Sequence, residues 1–119
     1  MPVPHPAVDF LDQTLAQEEL VYTTGLVLQE LLQGFHGLRD RQAILDRFEE
    51  LPFIDPERED YIGAVEIRNI CRRHGVQIRT VDALIARLCI IHQLTLLTAD
   101  NDFTYLARHA PLRLWRGTN

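Results

Sequence analysis

The chain has 119 residues, 46% of them hydrophobic and 24% charged, with a formal net charge of −5. That size predicts one domain over residues 1–119, with a single core of helices on a small sheet. No apolar run approaches the ~20 residues that span a bilayer, and no charged segment followed by an apolar one opens the chain. These features lead to an expectation of neither a membrane span nor a signal peptide, and the expected location is the cytoplasm.

The acidic balance is a poor footprint for general nucleic-acid binding. All 12 basic residues are arginine, however, and arginine grips phosphate through a planar fork. A local patch of Arg72, Arg73 and Arg79 could touch a phosphate backbone, although a solvated surface is the plainer reading. Cys71 and Cys89 lack metal-ligand spacing and read as reduced packing residues.

Residues 1–6 contain three prolines, which rules out a central strand there. Val8, Leu11 and Leu15 recur at helical spacing and predict a helix over 7–18. Residues 19–23 are strand-like, and Thr23 or Thr24 can cap a helix that Gly34 and Gly37 end. Another helix is expected over 38–50, then a short apolar strand over 51–54. Pro56 opens a long helix that Gly75 stops. Residues 76–78 read as extended, and Thr80 as the cap of an apolar helix over 81–92. A buried strand over 94–98, a turn over 99–102, a helix over 103–109 and a strand over 112–115 complete the chain. This alternation predicts an α/β fold with a small, mostly parallel sheet.

Three places combine an acid with a position that can serve chemistry. Glu30, in Val27-Leu28-Gln29-Glu30-Leu31-Leu32-Gln33-Gly34, lies early in a helix that follows a strand. Alone it reads first as a solvent-facing glutamate. Asp82, in Arg79-Thr80-Val81-Asp82-Ala83-Leu84-Ile85-Ala86, occupies the first turn of an apolar helix. The helix dipole alone could account for it, at roughly 0.3–1 kcal/mol. Asp100 and Asp102, in Leu96-Leu97-Thr98-Ala99-Asp100-Asn101-Asp102-Phe103, follow a strand at the edge where α/β sheets bind ligands. A turn with a helix cap explains one of the two easily. Parallel topology would bring residues 30, 82, 100 and 102 to one sheet edge. Carboxylates so gathered repel unless protons or a cation hold them, and hard oxygen ligands suit Mg²⁺ or Mn²⁺.

In order and spacing, these segments resemble the three downstream motifs of PIN domains of the VapC toxin type, over about residues 7 to 115. The resemblance implies a PIN-like three-layer fold, a small sheet flanked by helices. It implies an Mg²⁺- or Mn²⁺-dependent endoribonuclease, the toxin of a toxin–antitoxin pair, acting on an RNA substrate. Glu30, Asp82 and Asp100 would then be catalytic and hold metal, with Asp102 assisting or replacing Asp100. Thr98 or Thr80 would orient water or a carboxylate. It also implies a homodimer, and a small VapB-like antitoxin that enters the acidic groove, often with an arginine.

Family members begin with an apolar strand ending in aspartate, and nothing here matches it. Asp9 and Asp12 lie in a helical pattern with no strand ahead of them, and His5 is a weaker candidate still. The expectation is therefore a PIN-like domain without its first strand and first catalytic aspartate. It follows from a start site placed upstream or from a decayed copy. The rival to the enzyme is a remnant that only binds an antitoxin or another partner. Phosphotransfer fits poorly, because such sites balance phosphate charge with a lysine and this chain has none.

Overall fold

The computed structural model describes residues 21–34, 37–98 and 100–115. The expected helix over 7–18 and the segment where a first strand was sought lie outside the described residues. Two compact units divide between Asp55 and Pro56.

The first unit carries α1 (Gly25–Gly34) and α2 (Leu38–Glu49). Of the two candidate caps, Thr24 does the work at α1. Its buried hydroxyl lies 3.5 Å from the Leu26 N–H and donates to Asp55 Oδ1 at 3.1 Å. The Gly25 N–H donates to the same oxygen at 2.8 Å. An acid there satisfies orphan donors and complements the positive end of the helix. Ile44, Phe48 and Leu51 form the core of this unit, and Val27, Leu28, Leu31 and Leu32 pack on it from α1. The segments expected as strands around 19–23 and 51–54 meet in one parallel bridge, Thr23 to Phe53.

The second unit carries α3 (Arg58–Arg73), α4 (Thr80–Ile91), β1 (Thr95–Leu96), α5 (Asp102–Ala107) and β2 (Arg113–Leu114). α3 starts just past Pro56 through a capping box, in which Glu57 and Asp60 exchange side-chain and backbone bonds. Its buried face is Asp60, Gly63, Ala64, Ile67 and Cys71, the spacing of one helical stripe. Gly75 ends it at φ 78°. There the Gly75 and Val76 N–H groups return to the Arg72 and Cys71 carbonyls at 3.0 and 2.9 Å, the left-handed stop that glycine allows.

α4 is buried along most of its length, as its composition predicts. Its cap differs from expectation. Arg79 takes the N-cap position with extended backbone, and Thr80 is the first helical residue. The entry is fixed one residue earlier, where Arg68 Nε donates to the Ile78 carbonyl at 2.8 Å. Residues 76–78 run between helices without a ladder partner among the described residues.

β1 and β2 pair in parallel, Thr95 with Arg113 and Leu96 with Leu114, and the Trp115 N–H reaches the Leu96 carbonyl at 2.8 Å. β1 is shorter and less buried than the apolar run over 94–98 suggested, with Thr95 exposed and Leu96 half-buried. It has one ladder partner among the described residues. The architecture is thus helix-rich α/β with parallel pairing, as expected. Cys71 and Cys89 are buried free thiols, and burial pushes the Cys89 thiol up to about 11. Among the described residues, no helix is long and apolar enough to cross a membrane.

Candidate functional site

Three of the four expected acids belong to the second unit, and they converge. Asp82, Asp100 and Asp102 each offer a carboxylate oxygen, and these atoms lie within 4.8 Å of one another. Asp82 comes from the first turn of α4, and the aspartate pair from the turn between β1 and α5. Parallel topology accounts for this, because a strand end and a helix start fall on the same edge. Glu30 stands in the first unit on α1, half-buried, with its Oε1 shielded from solvent.

The environments of the three acids differ. Asp82 is 2% exposed, among the most deeply buried side chains of the described residues. Both its oxygens accept from Arg79, Oδ2 from Nε at 3.1 Å and Oδ1 from Nη2 at 2.9 Å. Asp100 and Asp102 are exposed. The Thr98 hydroxyl accepts the Asp100 N–H at 3.0 Å, and Asp100 Oδ1 accepts the Asp102 N–H at 2.9 Å. Thr98 therefore shapes the loop that presents the two aspartates. Thr80 is exposed at the start of α4.

The donor set is three hard carboxylate oxygens. Ligands on opposite sides of one Mg²⁺ are roughly 4.2 Å apart. A spread of up to 4.8 Å needs only a small side-chain rotation to close, so the residues fit a small divalent cation.

Two arginines of this region have roles that the sequence reading did not assign to them. Arg87 donates from Nε to Asp60 Oδ1 at 3.2 Å and ties α4 to α3. Its signal was present, a lone charge inside an apolar helix. The Glu57 N–H holds the Asp60 carboxyl below the usual carboxylate range; burial opposes this, and Arg87, then His92, add to the lowering. The second is Arg79, which the sequence suggested for phosphate and whose guanidinium is here paired with Asp82. The other two arginines of that patch, Arg72 and Arg73, line an open surface cleft with Asn69.

The family model described as PIN domain matches residues 3–109. Among solved structures, the chain is similar to VapBC2 from Rickettsia felis bound to a DNA fragment from its promoter. Identity is 25%, with 94% of this chain and 85% of that chain covered, at a TM-score of 0.71. It also shares the fold of FitAcB from Neisseria gonorrhoeae, at 20% identity, with 98% and 88% covered and a TM-score of 0.68. FitAB bound to an IR36 DNA fragment shows the same fold, at 20% identity, 97% and 85% coverage and a TM-score of 0.68. No curated protein matches the sequence.

Proposed function

This chain belongs to the PIN domain family, and we propose that it is the nuclease toxin of a toxin–antitoxin pair, hydrolysing RNA phosphodiester bonds with Mg²⁺ or Mn²⁺. The observation that carries this reading is the convergence of Asp82, Asp100 and Asp102 within 4.8 Å. Such a group of acids at a strand edge suits hard divalent cations.

In this reading residues 1–119 form one PIN-like domain. Asp82 and Asp100 hold the cation and Asp102 assists from the adjacent helix start, while Glu30 is a further acid that the family resemblance assigns to catalysis. When bound, the cation polarises the phosphate and lowers the pKa of the attacking water. Burial keeps Asp82 from bulk water, while the exposed Asp100 and Asp102 face the side from which an RNA strand would approach. Thr98 holds the backbone of the aspartate turn through its bond to the Asp100 N–H. The relatives are complexes of VapBC and FitAB type, which supports a small antitoxin as partner. A homodimer and a cytoplasmic location complete the proposal.

A second reading is a domain that binds its antitoxin without cleaving RNA. One assay separates the two. The chain is incubated with a structured RNA at millimolar Mn²⁺, beside Asp82→Asn. Cleavage by the parent that falls at least ~100-fold in the variant, roughly 2.7 kcal/mol of barrier, supports the enzyme. Folded parent protein that cuts nothing favours the binding remnant.

A further inference from the structure

Arg79 and Asp82 occupy the N-cap and first turn of the same helix. At the matching position of α3, Asp60 accepts the backbone N–H of its N-cap residue at 2.9 Å. Asp82 instead accepts the side chain of its N-cap residue, through two bonds of 3.1 and 2.9 Å. The acid is 3% exposed at its side chain and the arginine 59%. A solvated guanidinium therefore grips both oxygens of a buried carboxylate, and that carboxylate is one of the three that converge.

We propose that Arg79 is a built-in counter-charge that competes with the divalent cation for Asp82 and so sets the cation affinity of the site. This rests on the reading of Asp82 as a metal ligand. A cation that binds Asp82 shares a carboxylate whose two oxygens the guanidinium already holds, and the two positive charges repel. Charge-assisted bidentate bonds are the strong ones, so the competition is appreciable. With 59% of its side chain exposed, Arg79 can turn toward water, so displacement is reversible. Occupancy then follows the free divalent cation concentration instead of saturating at trace levels. The opposite role is conceivable in physical terms: a fork that holds the carboxylate in the binding rotamer would raise affinity. The two roles predict opposite signs.

The test is Mn²⁺ binding to the full chain, read from the electron paramagnetic resonance signal of free Mn²⁺ and from the cation-induced rise in Tm. Arg79→Gln, which keeps much of the length and removes the charge, is expected to bind Mn²⁺ about ten-fold tighter, ~1.4 kcal/mol. Arg79→Lys, which keeps the charge and loses the fork, is expected to fall between. If Arg79→Gln does not fold, as judged by circular dichroism, Arg79→Lys decides, and its affinity must exceed that of the parent. Parent protein that binds Mn²⁺ while the deciding variant binds equally or more weakly overturns the role of Arg79 and leaves the metal site standing. Failure of both the parent and the deciding variant to bind Mn²⁺ removes the metal reading and this inference with it.

Discussion

A methyl group added at Gly63 tests how firmly α3 and α4 are joined. An ideal Cβ there would stand 2.5 Å from Arg87 Nη1 and 2.6 Å from its Cζ and Nε, far inside van der Waals contact. The obstructing atoms end a flexible side chain, so steric relief alone is cheap. Nε, however, is the donor to Asp60 Oδ1, and Asp60 is 6% exposed. Moving Arg87 therefore sacrifices a charge-assisted bond, worth ~1.5–3 kcal/mol. Arg87 is 23% exposed at its side chain and can regain water, while Asp60 keeps the Glu57 N–H. Both facts favour a loss of about 2 kcal/mol within that range. Alanine returns about 1 kcal/mol over glycine inside a helix. Gly63→Ala should thus destabilise by about 1 kcal/mol, a fall in Tm of roughly 4 °C. Arg87→Met removes the obstruction. The burial of Asp60 without its arginine then burdens both members of the comparison equally, and Gly63→Ala in that background should stabilise by about 1 kcal/mol. Urea unfolding followed by circular dichroism measures all four proteins. A Gly63→Ala variant that gains the same stability in both backgrounds would refute the reasoning, because Arg87 would have moved without cost.

Two further perturbations follow from the same unit. Gln93 ends α4 at φ 56°, in the left-handed stop that Gly75 provides for α3, and its carbonyl accepts Arg113 Nη2 at 2.6 Å. Left-handed backbone costs a side-chain-bearing residue roughly 1–2 kcal/mol, partly offset by the greater unfolded freedom of glycine. Gln93→Gly should therefore raise stability by about 0.5–1 kcal/mol in thermal unfolding, and a lower Tm would contradict the strain. Asp60 has a folded-state pKa below its ordinary 3.8. Its contribution is complete above the ordinary value and is lost as pH falls through the lower folded one. Stability measured from pH 5 downward should fall less steeply in Asp60→Asn than in the parent, and parallel curves would count against the shift.

Much of the helical frame was legible because its punctuation is local. Pro56 and Gly75 bracket α3 through backbone preferences that a single residue imposes. The acids at 82, 100 and 102 were legible for a related reason, since each sits at a strand end or helix start that periodicity reveals. The contacts that join elements were not. Asp55 bonds the N-terminus of α1 from 30 residues away, and Arg87 meets Asp60 across 27. Neither partner carries a spacing signature. Thr80 looked like the cap of α4 because threonine favours that position. Arg79 displaced it because the chain enters through an Arg68 bond to Ile78, a tertiary contact that overrides local preference. The strand over 94–98 was overextended because an apolar run reports burial without reporting how many strands pair with it.

The aspartate turn remains the place where a structural and a chemical explanation compete. Asp100 Oδ1 accepts the Asp102 N–H at the start of α5, which alone would justify an acid there. The explanations are compatible, because an ionised carboxylate offers about four lone-pair sites on two oxygens. One bond to a backbone N–H leaves the other oxygen and part of the first available to a cation. Charge separates the two roles. Asparagine makes such an i to i+2 turn bond as aspartate does but lacks the negative charge a cation needs. Asp100→Asn should therefore keep the parent's Tm within ~0.5 kcal/mol of stability while weakening Mn²⁺ binding at least ~10-fold, about 1.4 kcal/mol. Asp100→Ala should lose the cation and also about 1 kcal/mol of stability with the bond to the Asp102 N–H. Calorimetric titration of Mn²⁺ into the two variants, with thermal unfolding beside it, reads both quantities. If Asp100→Asn binds Mn²⁺ as the parent does, the acid at 100 is a turn residue and nothing more, and the candidate site shrinks to Asp82 and Asp102.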